Sequence, residues 1–67
     1  MNLRREFRVV ESSVVTDDEL TRIINHEAQS GWCFNGFHFA MREGSHRPSM
    51  AFVLFYRELN DQAEPSP

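Results

Sequence analysis

Lysine is absent from this sequence: all seven basic residues are arginine, and they face ten acidic residues for a net charge of −3. Nucleic acid and anionic membrane attract proteins through excess positive charge, so this balance gives no general pull toward either. A lone cysteine, Cys33, rules out an intramolecular disulfide, the usual staple of small secreted domains. One Cys and three His also fall short of the clustered four-ligand set of a structural zinc site. Long hydrophobic runs are missing too. The longest, residues 50–56, is far below the roughly 20 residues that span a bilayer. The opening Met1-Asn2-Leu3-Arg4-Arg5-Glu6 runs into a charged, alternating segment with no apolar stretch behind the arginines, so no secretory signal is expected. A soluble, cytoplasmic chain is the resulting expectation.

What is present is apolar and aromatic. Hydrophobic residues make up 40% of the 67, with six Phe, one Trp and one Tyr, too heavy a load for a disordered chain. A chain of this length buries only about 60% of the surface its unfolded form exposes, so its core is thin. Packing must supply the fold, completed by a second copy if one chain cannot cover its own apolar faces.

Residues 5–11, Arg-Glu-Phe-Arg-Val-Val-Glu, alternate with Phe7 and Val9 on one side and Glu6 and Arg8 on the other. That pattern predicts a strand with one buried face. Thr16-Asp17-Asp18-Glu19 reads as a capping box, with acidic residues at the positive end of the helix dipole and Val15 placed to pack on Leu20. Leu20, Ile23, Ile24 and Ala28 form an apolar stripe at helical spacing, and Gly31 is a left-handed stop. A helix is expected over 17–30. In residues 32–42 the apolar positions change phase, from Trp32 and Phe34 to Phe37, Phe39 and Met41. A bulge at Asn35-Gly36 would restore all five to one face. A polar loop with Gly44 and Pro48 leads to residues 50–57, apolar on both faces until Arg57 and therefore read as a central strand. Domain 1–58 is then followed by a disordered, proline-punctuated tail, 59–67.

The order β-α-β-β, with the last two strands forming a hairpin, predicts an α+β fold. Its three-stranded antiparallel sheet has the order 1-3-2, with one helix packed on one face. Phe7-Arg8-Val9-Val10-Glu11, the stretch from Leu20 through Gly31-Trp32, and Phe52-Val53-Leu54-Phe55-Tyr56-Arg57 together resemble a widespread group of short bacterial proteins. These are catalogued as a domain of unknown function, number four-one-seven-seven in its series. Members usually carry Glu-Gly-Trp where this chain has Ser30-Gly31-Trp32, and the hairpin loop here is longer and richer in His and Arg. The resemblance implies a strand-helix-hairpin fold and no established activity.

Chemistry-bearing residues are sparse. Cys33 and His38 share a face if the bulge forms, with His46 in the following loop, but three ligands on one strand and a loop match no common metal pattern. A small buried thiol beside surface histidines is the simpler expectation for the same residues. A Cys-His nucleophile would need a third, orienting group and a pocket. His26-Glu27 has Ser30 where a zinc-protease helix needs its second histidine. Asp17, Asp18 and Glu19 are explained as caps. No enzyme activity, metal or cofactor is expected.

Association is the expected role, as a homodimer or a docking module. The helix covers one sheet face only, and its outer residues Arg22, Asn25, His26 and Gln29 are polar. The interface is therefore expected on the sheet, at Trp32, Phe37, Phe39, Ala51, Val53 and Phe55. The alternative is a small module for RNA or single-stranded DNA, with Arg8, Arg42, Arg47 and Arg57 gathered beside aromatics that stack on bases. No glycine-aromatic RNP run supports it.

Overall fold

A computed structural model describes residues 3–60. The elements are β1 (Leu3–Ser12), α1 (Asp17–Ala28), β2 (Cys33–Met41) and β3 (Pro48–Asn60). Among the described residues they build one antiparallel sheet in the order β1-β3-β2, with a single helix, as the residue pattern predicts. β3 runs to Asn60, two residues past the expected domain end. The rest of the anticipated tail lies outside the described residues.

Both helix ends follow from local chemistry. Thr16 has extended backbone geometry, and its hydroxyl accepts the Glu19 amide at 3.2 Å. Only half of the capping box forms. The Glu19 carboxylate turns instead to Arg22, which donates through Nε at 3.0 Å and holds the carboxyl below its ordinary range. Replacing Thr16 by alanine should cost about 1 kcal/mol, because one helix-start amide loses its acceptor. An unchanged midpoint in thermal denaturation would rule the cap out as a source of stability. At the other end Gly31 takes a φ of +91°, and the Trp32 amide donates back to the Glu27 carbonyl at 3.1 Å. This positive φ suits glycine, which has no Cβ to clash.

The bulge forms where the phase change placed it. Phe34 lies opposite Phe55 and Gly36 opposite Leu54, so Asn35 is the extra residue. Phe34, Phe37 and Phe39 consequently share one side of the sheet with Phe55, Val53 and Ala51. A second irregularity follows at Ala40/Met41.

The helix takes this same side. Ala51, Val53 and Phe55 have no exposed surface, and Ile23 of α1 is 5% exposed. Val10, Leu20, Ile24 and Trp32 pack around Ile23, Val53 and Phe55. Three expectations change as a result. First, Ala51, Val53 and Phe55 form the core and cannot line an outer interface. Second, Val10 is the half-buried residue of β1 while Phe7 and Val9 stay exposed, because Val10 pairs with Val53 on the helix side and Val9 with Leu54 on the other. Third, Ala28 is exposed and Glu27, one position earlier, completes the buried stripe at 7% exposure.

Candidate association surfaces

The register sets the composition of the side away from the helix. Phe7 pairs with Tyr56, Val9 with Leu54 and Glu11 with Phe52. From β2, Cys33, Gly36, His38 and Ala40 stand opposite Tyr56, Leu54, Phe52 and Met50. Directly opposed residues of an antiparallel pair project to the same side, so this open side carries Phe7, Val9, Met50, Phe52, Leu54 and Tyr56. Phe7 is 60% and Val9 58% exposed, and the four β3 residues are half-buried. Polar groups bound this surface at one end. Arg5 pairs with Glu58 at 3.0 Å, and its Cζ sits 4.6 Å from the centre of the Tyr56 ring.

A second apolar surface lies beside the helix. The helix packs on this side through Ile23 and Glu27 and leaves the β2 phenylalanines partly in water. Phe34, Phe37 and Phe39 are 42%, 38% and 46% exposed there. Their rings form a row, Phe34 to Phe37 at 4.9 Å and Phe37 to Phe39 at 5.5 Å between centroids. Phe37 and Phe39, expected at an interface, are partly exposed. Trp32 is half-buried, with the Arg57 Cζ 4.3 Å and the Arg8 Cζ 6.0 Å from its ring centre.

The arginines of the nucleic-acid alternative do not gather. Arg8 bonds Glu27 at 3.0 Å and Arg57 bonds Glu6 at 2.8 Å, both around Trp32. Arg42 and Arg47 lie at the hairpin end, where they line an open hollow of about 250 Å³ with Ser13, Ser45, Pro48 and Ser49. Arg57 and Pro48 stand nine residues apart on one strand, about 30 Å at the usual rise. Charge repulsion is relieved at one end by carboxylates, and strand length separates the other. Cys33 and His38 share the open side, and among the described residues no three His, Cys, Asp or Glu side chains come together as metal ligands. Nor, among those residues, is any helix long and apolar enough to cross a membrane.

The buried Glu27 and the row at Phe34 were the structural features least evident from sequence. Glu27 had a signal: it follows Ile23 by four residues and Ile24 by three, the spacing of the buried stripe. No family model, curated protein or solved structure matches this chain, so its own surfaces carry the functional argument.

Proposed function

We propose that this chain is a non-enzymatic association module, forming a homodimer by stacking the open sides of two sheets. The supporting observation is the exposure of Phe7 and Val9 beside Leu54, Phe52 and Tyr56 on a side the helix does not reach. Together these residues make an apolar patch on the order of several hundred Å², at the upper end for soluble monomers. A second copy presents the same patch, and a two-fold contact covers both at once. The bounding Arg5–Glu58 pair supplies a polar rim of the kind that surrounds apolar interface centres. A nucleic-acid surface has less support, because Arg8 and Arg57 are already engaged by carboxylates.

Sedimentation equilibrium over a range of concentrations tests this reading. The expected species has at least twice the 7.9 kDa chain mass. Phe7→Asp should remove the face contact without unfolding the chain, since that side chain is already mostly in water. A Phe7→Asp chain with unchanged association would overturn the face contact.

A further inference from the structure

We infer that β2 is a second self-association site, whose outer edge takes β2 of another copy in antiparallel register centred on His38. It goes beyond the face contact, which uses a different surface.

The two edges of the sheet differ in protection. β1 carries Arg4, Arg5, Glu6, Arg8 and Glu11, whereas β2 (Cys33–Met41) carries no Asp, Glu, Lys or Arg and no proline. Charge, proline and bulges are the usual means of blocking strand addition; β2 lacks the first two, and its bulge lies outside residues 36–40. The bulge at Asn35 and the irregularity after Ala40 leave residues 36–40 as its regular stretch. That stretch, Gly36-Phe37-His38-Phe39-Ala40, has the same pattern in either direction: small, Phe, His, Phe, small. A two-fold axis at His38 therefore sets Gly36 against Ala40 of the second copy, Phe37 against Phe39, and His38 against itself. An unrelated strand would not require this symmetry; a copy of β2 does, because an isologous contact presents one patch to itself.

Backbone direction agrees with that centre. The Ala40 carbonyl faces β3, where it accepts the Ser49 hydroxyl at 3.2 Å. Residues of an antiparallel ladder turn their amide and carbonyl groups to alternate sides, so Phe37 and Phe39 direct theirs to the free edge. They then form the hydrogen-bonded pairs, and His38 with its copy forms the close, non-bonded pair. The contact also places the two exposed phenylalanine rows side by side, and aromatic cross-strand pairs are among the favourable ones. Edge and face contacts use different directions of the sheet, so both can be satisfied in a tetramer of two-fold symmetries.

Cross-linking tests the register. Non-bonded antiparallel pairs hold their Cα atoms about 4.5 Å apart, within disulfide range. In a Cys33→Ser background, His38→Cys should oxidise to a covalent dimer. Ala40→Cys should not, because the two copies of that residue lie about 13 Å apart at four residues' rise. The same result is expected with Phe7→Asp added, where the face contact is absent. Cross-linking at His38→Cys no faster than at Ala40→Cys overturns the edge site. Sedimentation separates this from the face reading. Association lost on Phe39→Asp but untouched by Phe7→Asp supports the edge site and overturns the face contact. Association lost on Phe7→Asp, with no His38→Cys cross-link, overturns the edge site and leaves the face contact standing.

Discussion

Phe55→Ala is expected to leave the chain largely unfolded at room temperature. Phe55 has no exposed surface, lies centrally in β3, and contacts both the helix residue Ile23 and the Phe34 ring, 6.4 Å away between centroids. Truncating a buried phenylalanine costs about 3–5 kcal/mol, a transfer loss plus the cavity left behind. A domain of some 60 residues has roughly 3–9 kcal/mol in total. The two ranges overlap, so one side chain carries a large share of the fold. Circular dichroism with urea titration measures it. A cooperative transition within about 1 kcal/mol of the parent would show that the cavity collapses and that Phe55 is not central.

So thin a core leaves much for the proposed association to add. Ile23, Val53 and Phe55 are the buried cluster, and the apolar groups on the sheet's open side contribute little until something covers them. Binding of any copy to the folded form stabilises it by mass action. The thermal midpoint is therefore coupled to concentration if the proposed face contact forms.

The parts of this fold that were legible in sequence are those fixed by short-range rules. Thr16 marks the helix start because a hydroxyl there meets an unpaired amide, and Gly31 marks its stop because few other residues accept a positive φ. Asn35-Gly36 marks the bulge because the apolar phase must be restored. The choice of face was not legible. β3 is apolar on both sides, so its pattern does not distinguish Ala51-Val53-Phe55 from Phe52-Leu54-Tyr56, and β1 offered Val9 and Val10 in succession. Only the register with the helix in place separates them. Ala51, Val53 and Phe55 were placed on an outer surface for that reason and are buried, whereas Phe37 and Phe39 on the same side are partly exposed.

The second large effect is expected at Arg8 and Glu27. The Glu27 side chain is 10% exposed and that of Arg8 49%, with their bond at 3.0 Å. Arg8→Ala strands a carboxylate at the edge of the core. Breaking a fully buried pair costs about 3–5 kcal/mol, and water reaching the exposed half of Arg8 reduces this to about 1–3 kcal/mol. Replacing both, with Arg8→Met and Glu27→Leu, should restore the loss, because apolar isosteres need no counter-charge. A double variant as unstable as Arg8→Ala would mean that the pair contributes through packing on Trp32 and not through charge. The pair also ties the C-terminal half of the helix to β1.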